Sequence, residues 1–267
     1  MNKENKFKLP RAFAFIAVFI FMAETAYGKD FKIEGLETAL WLQKEPFWDI
    51  DYIKEEKDSS QEDRSFYLTL VNRENVLDKS FGPEKTMVIS DYIKHTKSPI
   101  VIEEEAGQKL ILMFDAMKED GFKNIAVVSG YRSYEYQEDL HKKQVKKHKK
   151  YPKDEAIRRA SKIVAPAGCS EHQTGLAVDV STSAVGYELN EAFEETEDYR
   201  WLRENSYKFG YIVRYTKEKR HITGVIYEPW HLRYVGEEAA KEIVEKGLCF
   251  EEYCEMLNGK DLIPNNQ

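Results

Sequence analysis

The chain has 267 residues, and its 40 lysines and arginines against 47 acidic residues give a net charge of −7. This acidic balance argues against a nucleic acid partner, because neutralising phosphates requires a basic surface. Three cysteines cannot build a disulfide framework, although one bridge between Cys249 and Cys254 is compatible with the sequence.

The first 28 residues have the pattern of a secretory signal peptide. A basic lead precedes an uncharged apolar run over residues 12–23, which is shorter than the roughly 20 residues that span a bilayer. The small residues Ala26 and Gly28 follow this run, at the two positions that a signal peptidase recognises before its cleavage site. We therefore predict cleavage after residue 28 and a secreted protein, with an uncleaved membrane anchor as the alternative. Removing four basic and two acidic residues changes the net charge to −9.

The mature chain is predicted to begin with a charged extension over residues 29–64. A strand-like run follows at residues 66–71. Apolar residues with helical spacing predict a helix over residues 104–120, and the short β-rich run 125–129 predicts a buried strand.

Two charged helices are predicted next, at residues 133–149 and 153–163. The lysine-rich run 142–150 is compatible with contact to an anionic polymer, but a solvated helix face is the simpler interpretation. A strand is predicted at residues 176–180.

The last predicted elements are a helix over residues 191–207 with Asn190 as its cap, a strand at 211–215 and an amphipathic helix at 237–246. Strands and helices alternate without regular βαβ spacing and without a Gly-rich phosphate loop. The sequence therefore predicts an α+β fold with a mostly antiparallel sheet.

Three residues form a candidate metal site: His172, Asp179 and His231. Gly175 allows the chain to turn back between His172 and the strand that carries Asp179. Two imidazoles and one carboxylate, with one position left open, are typical of a hydrolytic zinc site. A hydrogen-bonded structural role is the alternative for either histidine taken alone.

Glu228 lies three residues before His231 and is a candidate general base. Pro229 between them disfavours a regular helix. We expect Trp230 to pack beneath the ligands and Arg233 to form a structural ion pair. Cys169 lies close to His172, but three ligands are already present without it.

Arg132 follows the predicted strand 125–129 in the segment Ser-Gly-Tyr-Arg-Ser. A guanidinium at the edge of a sheet can bind a carboxylate through two hydrogen bonds. Capping of the next helix is the alternative role for this arginine.

These segments resemble the VanY-type D-alanyl-D-alanine carboxypeptidases of the zinc M15 peptidase family. The resemblance rests on Ser-Gly-Tyr-Arg-Ser at 129–133, Ser-Glu-His-Gln-Thr-Gly-Leu-Ala-Val-Asp at 170–179 and Glu-Pro-Trp-His-Leu-Arg-Tyr-Val-Gly at 228–236. It covers residues 65–257 and leaves 258–267 as a C-terminal tail. It implies a Hedgehog/DD-peptidase-like fold, with helices flanking the central sheet.

The resemblance also implies roles for individual residues. His172, Asp179 and His231 would bind one Zn²⁺, and Glu228 would be the catalytic base. Arg132 would hold the peptide and assist catalysis, while Gln137 and Ser170 would contact the substrate. The thiol of Cys169 is a departure from the residue expected beside Ser170.

The implied function is a secreted zinc carboxypeptidase that removes the C-terminal D-alanine from peptidoglycan stem peptides. Cleavage of a D,D bond is slightly favoured over an L,D bond, and no protein partner is implied. Two alternatives remain: a cell-wall endopeptidase of the same fold, and a zinc-binding module without catalysis, against which the presence of Glu228 argues.

Overall fold

The computed structural model describes residues 65–261, so the predicted signal peptide (1–28) and charged extension (29–64) lie outside the described residues. The strands are β1 (Thr86–Val88), β2 (Val101–Glu103), β3 (Ile125–Ser129), β4 (Ala177–Thr182), β5 (Tyr211–Tyr215) and β6 (Glu228–Tyr234). The α-helices are α1 (Glu104–Glu119), α2 (Tyr134–Lys147), α3 (Lys153–Ala160), α4 (Glu197–Asn205), α5 (Arg220–Thr223), α6 (Glu237–Lys246) and α7 (Phe250–Asp261). None of the helices in this part of the chain is long and apolar enough to cross a membrane.

Four strands form the central sheet in the order β3-β4-β6-β5, and each neighbouring pair is antiparallel. β1 and β2 form a separate antiparallel pair. Helices flank the sheet, and the predicted α+β class with a mostly antiparallel sheet is therefore confirmed.

Helix α1 packs against one face of the central sheet. Its side chains Ala106, Leu110, Met113 and Met117 are fully buried, and their spacing of three or four residues places them on one stripe. Burial of each large apolar side chain contributes about 1.5–3 kcal/mol. The carboxylate of Glu103 accepts a hydrogen bond from the Ala106 amide (2.8 Å) and fixes the helix start.

The alternation of side chains along β4 and β6 gives the sheet one apolar and one polar face. Val178 on β4 and Leu232 on β6 belong to the apolar core beside α1. Successive side chains of a strand point to opposite faces, so Asp179 and His231 lie on the other face. This polar face carries the candidate site.

The prediction of a strand at residues 66–71 was wrong. Residues 65–67 are helical, and the Thr69 amide and hydroxyl both donate to the Phe66 carbonyl (3.1 and 2.8 Å). The carbonyls of Tyr67 and Thr69 accept hydrogen bonds from the buried guanidinium of Arg233 (3.0 and 2.8 Å). The backbone is therefore satisfied by a distant side chain and not by a neighbouring strand.

The helix predicted over residues 191–207 is interrupted. A 3-10 helix at Glu191–Glu195 is capped by Asn190, as predicted, but Thr196 is extended and its hydroxyl caps α4 by accepting from the Tyr199 amide (3.2 Å). Helices α2 and α3 end two and three residues earlier than predicted, at Lys147 and Ala160.

Helix α7 was not predicted, and it moves the boundary of the folded region. Because α7 runs to Asp261, the predicted domain end at residue 257 falls inside a helix. Its residues Phe250 and Tyr253 pack with Ile212 and Ile243 in a second apolar cluster. The C-terminal helix is therefore part of the domain.

Candidate metal centre

The three candidate ligands come from three backbone segments that meet on the polar face of the sheet. His172 lies in the 3-10 turn Glu171–Thr174, while Asp179 on β4 stands directly opposite His231 on β6. One ligand atom from each residue lies within 4.8 Å of the other two, and all three residues are buried. Gly175 has φ of 74°, a left-handed conformation that turns the chain from His172 into β4.

His172 is oriented by a backbone carbonyl. Its Nδ1–H donates to the Gly130 oxygen at 2.7 Å, which leaves the lone pair on Nε2 facing the site. That Nε2 lies 3.3 Å from Asp179 Oδ2. The end of β3 therefore fixes which nitrogen of His172 is available as a ligand.

His231 presents its other ring nitrogen. Its Nε2–H donates to Glu171 Oε2 (3.1 Å), and its Nδ1 lies 3.1 Å from Asp179 Oδ1. Metal-binding histidines commonly donate their second ring nitrogen to a carboxylate, which fixes the tautomer and orients the ring. The Glu171 carboxylate therefore fixes the tautomer and the ring orientation of His231.

Glu171 belongs to a buried ion network that reaches the C-terminal helix. Its Oε1 accepts from Arg214 Nε (2.7 Å) and lies 3.1 Å from Arg233 Nη1, which confirms the ion pair predicted for Arg233. Arg214 in turn donates twice to Glu251 on α7 (2.8 and 2.6 Å). Although burial opposes it, the charges of Arg214 and Arg233 hold the pKa of Glu171 well below its usual range.

The donor set fits zinc. Two imidazole nitrogens and one carboxylate oxygen are what catalytic zinc takes from a protein. The Arg132 guanidinium shows that these groups act as acceptors for a cation: its Nη2–H donates to Asp179 Oδ2 (2.6 Å) and lies 2.9 Å from His172 Nε2. Two of the three candidate ligand atoms, on Asp179 and His172, thus already accept from a positive charge.

Glu228 lies at the start of β6 beside the ligands. Its Oε2 is 3.8 Å from His231 Nδ1, and its side chain is 15% exposed. Burial raises the pKa of Glu228 to about 7 in the protein without metal. A carboxyl group whose pKa is near neutrality can both accept and return a proton.

The predicted substrate-binding residues lie in the same cleft, whose volume is about 330 Å³. Gln137 is buried; its amide donates to the Ala165 carbonyl (2.7 Å) and accepts from Arg132 Nη1 (3.3 Å). Arg132 Nε also donates to Ser129 Oγ (3.0 Å). Gln137 therefore holds Arg132 in place, and Ser170 lines the cleft.

Trp230 and Cys169 also lie at the cleft. Trp230 packs on the apolar core but also lines the cleft, so it is more than a packing residue beneath the ligands. Cys169 is half-buried and lines the cleft outside the group of three ligands. All three cysteines are free, so the bridge between Cys249 and Cys254 is not formed.

The sequence interpretation missed Glu171, Arg214 and Glu251. Arg214 gave a detectable signal, because a charged residue interrupts the apolar strand sequence Tyr-Ile-Val-Arg-Tyr at 211–215. Glu171 lies beside His172, but nothing local distinguishes it from an exposed carboxylate. Glu251 is close to Arg214 only in three dimensions.

Comparison with known proteins connects this geometry to a family. The family model of VanY, described as D-alanyl-D-alanine carboxypeptidase, matches residues 99–237. The putative carboxypeptidase YodJ of Bacillus subtilis (strain 168) is 46% identical over 191 residues, 70% of this chain and 67% of that protein.

Two solved structures have the same fold. The LdcB LD-carboxypeptidase has a TM-score of 0.63 and 42% identity, covering 70% of this chain and 84% of that one. A variant of the vancomycin resistance D,D-pentapeptidase VanY in complex with Zn(II) has a TM-score of 0.58 and 40% identity, covering 71% and 99%.

Proposed function

We propose that this chain, which belongs to the VanY family of D-alanyl-D-alanine carboxypeptidases, removes the C-terminal D-alanine from peptidoglycan stem peptides. The family is described as D-alanyl-D-alanine carboxypeptidase, and the similar VanY structure contains Zn(II). The donor set described above fits that metal. One observation carries the proposal: three zinc-type ligands, a carboxylate base and an arginine share one cleft.

We assign the metal to His172, Asp179 and His231. Zinc, when bound, supplies Lewis acidity to a water molecule and to the scissile carbonyl. The protein residues around it keep the two imidazoles in opposite tautomers, as the Gly130 carbonyl and the Glu171 carboxylate require.

Glu228 is assigned the proton transfers. Its carboxylate takes a proton from the attacking water and returns it to the amine of the departing D-alanine. Arg132 is assigned to bind the terminal carboxylate of the peptide. Its second assigned role is to stabilise the developing oxyanion. Gln137 positions Arg132 through the hydrogen bond at 3.3 Å, and Ser170 is assigned to the substrate-binding wall.

An arginine that pairs with the terminal carboxylate explains why a chain end is the substrate. Asp179 pairs with Arg132 in the metal-free protein and would serve zinc when the metal is bound. An internal peptide bond would then offer the guanidinium no carboxylate, and a buried charge without its counter-charge is penalised. An endopeptidase would have no terminal carboxylate to pair with Arg132, so this arginine does not support the endopeptidase alternative.

We propose the D,D bond as the preferred substrate bond. Support comes from the family description and from the D-alanyl-D-alanine carboxypeptidase of Enterococcus faecalis, which is 40% identical over 72% of this chain. The L,D bond is the second candidate, because the similar LdcB structure is an LD-carboxypeptidase.

We also propose that the protein acts outside the cytoplasmic membrane after export. The basic lead, the short apolar run and the small residues before residue 29 support this location. Mass determination of the mature N-terminus tests it: a start at residue 29 indicates cleavage, and an intact N-terminus indicates the anchored alternative.

Hydrolysis of defined substrates tests the activity. The purified protein is incubated with pentapeptide and tetrapeptide muropeptides, with and without a chelator, and the products are identified by mass. We expect chelator-sensitive release of D-alanine, faster from the pentapeptide. No release from either substrate would contradict the carboxypeptidase assignment and favour a non-catalytic module.

A further inference from the structure

Positive charge is concentrated in one part of this acidic chain. Residues 142–162, which comprise the end of α2, the connecting turn, α3 and the two residues after it, contain ten lysines and arginines but only two acidic residues. Their net charge is +8. The rest of the chain, with 30 basic and 45 acidic residues, has a net charge of −15. We call residues 142–162 the basic hairpin surface.

The charges of the basic hairpin surface are exposed and mostly unneutralised. All ten basic residues are exposed. Glu155 is shared by Arg158 and Arg159, so one carboxylate serves two guanidinium groups. Within residues 65–261, no ion pair joins Lys143, Lys146 or Lys147 to a carboxylate.

Packing of the domain does not explain this cluster. Helix α2 buries Gln137 and Gln144 and directs its lysines to solvent. Like charges held close together repel and destabilise the folded state. An external anion would remove that repulsion and release bound counterions, which is how clustered lysines bind phosphate polymers.

The basic hairpin surface lies beside the catalytic cleft. Ser161 and Lys162, at its C-terminal end, line the cleft that contains the zinc ligands. A polymer bound along the lysines would therefore pass close to the cleft entrance.

We propose that the basic hairpin surface docks the enzyme on a phosphodiester polymer attached to the cell wall. This inference rests on the proposed function, because it places the enzyme beside wall peptides. Lysine ammonium groups on flexible stems suit a flexible chain of phosphates, which needs point charges and no fixed geometry. Docking raises the local concentration of stem peptides at the cleft without any added contact to the scissile bond.

A membrane surface fits this region less well. Interfacial helices combine a basic face with a large apolar face. Ile157 is the large apolar side chain exposed within residues 142–162, with Ile163 just beyond them and Tyr136 on the first turn of α2. These isolated side chains do not form an apolar face on α2 or α3.

Co-sedimentation of the full chain with purified cell walls tests the proposal. One wall sample keeps its phosphodiester polymers, and in the other they are removed with hydrofluoric acid. The test variant carries Lys143→Glu, Lys146→Glu, Lys147→Glu and Lys150→Glu. The control variant carries the same charge change at four exposed lysines outside the surface, as Lys85→Glu, Lys118→Glu, Lys123→Glu and Lys208→Glu.

We expect the wild-type and control proteins to bind intact walls with similar Kd values. Removing the polymer, or the four lysines, should weaken binding by about tenfold, and added salt should weaken wild-type binding more than that of the test variant. Equal binding to stripped walls, equal weakening in the control variant, or tighter binding to anionic phospholipid vesicles than to intact walls would each overturn the proposal.

A parallel assay separates this inference from the proposed function. D-alanine release from soluble muropeptides should be the same for the wild-type protein and both variants, since none of the substituted lysines lines the cleft. A wild-type protein that binds walls but releases no D-alanine would refute the proposed activity and leave the docking intact.

Discussion

His172 and His231 reach the same point with different ring nitrogens. His172 is held by the Gly130 carbonyl and offers Nε2, whereas His231 is held by the Glu171 carboxylate and offers Nδ1. Each imidazole therefore depends on one partner behind it. Changes to those partners should alter metal binding without touching a ligand.

Glu228→Gln should remove the proposed base while leaving the proposed ligands in place. General acid–base catalysis typically contributes about 10²–10⁴-fold, and we expect kcat to fall within that range. Measured rates of D-alanine release, together with zinc content by mass spectrometry, check this. Loss of bound zinc would indicate that Glu228 supports the metal, and unchanged kcat would exclude it as the base.

Glu171→Gln should weaken zinc binding. The amide still accepts a hydrogen bond from His231 but no longer balances the charges of Arg214 and Arg233. Loss of such a partner typically reduces metal affinity by about 10–100-fold. Competition with a chromophoric zinc chelator measures the change.

Glu252→Gln is the matched control for that variant. Glu252 pairs with Lys219 near the surface (2.7 Å) and has no contact with the ligands, so zinc affinity should not change. If Glu171→Gln lowers thermal stability but leaves zinc affinity intact, the buried network has only a structural role.

The cluster of candidate ligands was predictable from sequence, but the residues that support them were not. His172, Asp179, His231 and Glu228 lie in short segments whose composition indicates metal chemistry. The pairing of Glu171 with Arg214 joins residues 43 positions apart, and only the folded chain brings them into contact.

Elements were predictable where one local pattern determined them. Helix α1 and strands β3 and β5 followed from apolar spacing, and the structure places them within one residue of expectation. Residues 66–71 are different, because Arg233, more than 160 positions away, donates to the carbonyls of Tyr67 and Thr69. The residue pattern of 66–71 alone could not predict that long-range contact.

Gly130, just after strand β3, has no room for a side chain, so Gly130→Ala should disturb the backbone at this position. A methyl group at residue 130 would overlap the Val101 carbonyl oxygen and the Ile100 side chain. Backbone displacement should cost about 1–3 kcal/mol and misdirect His172 through its hydrogen bond to the Gly130 carbonyl. Urea unfolding and zinc competition measure the two effects.

Gly259→Ala provides the comparison, because its added methyl group meets no atom within 4 Å. This variant should keep full stability and zinc affinity. Equal behaviour of the two variants would show that β3 can shift without disturbing His172.

The whole molecule should respond to pH through its two opposed histidines when zinc is removed. Burial and the charge of Arg132 lower the pKa of His172 to about 4. Although burial opposes it, hydrogen bonds to Asp179 and Glu171 raise the pKa of His231 to about 9. An unfolded histidine titrates near 6.5.

Taken by themselves, these two histidines should stabilise the metal-free protein most near pH 6.5. The raised pKa of His231 gives stabilisation that is full below 6.5 and lost as pH rises to about 9, whereas the lowered pKa of His172 costs stability as pH falls from 6.5 towards 4. Each effect amounts to at most about 3 kcal/mol.

Thermal unfolding across this pH range, with chelator or with zinc, measures the response. Zinc binds neutral imidazoles, so its stabilising effect should increase from pH 6.5 to 9 as less proton release is required. A metal-free midpoint that does not change between pH 6.5 and 9 would contradict the assigned hydrogen bonds of His231.

The direct pairing of Asp179 with His231 across β4 and β6 has a consequence for the assembly of the enzyme. A slip of the strands by one residue would turn one ligand to the apolar face, and the two lie 52 positions apart in the chain. Zinc can therefore be captured only by a chain whose sheet has closed in the correct alignment. Metal uptake should therefore report completed folding, and a molecule with misaligned strands should lack hydrolytic activity.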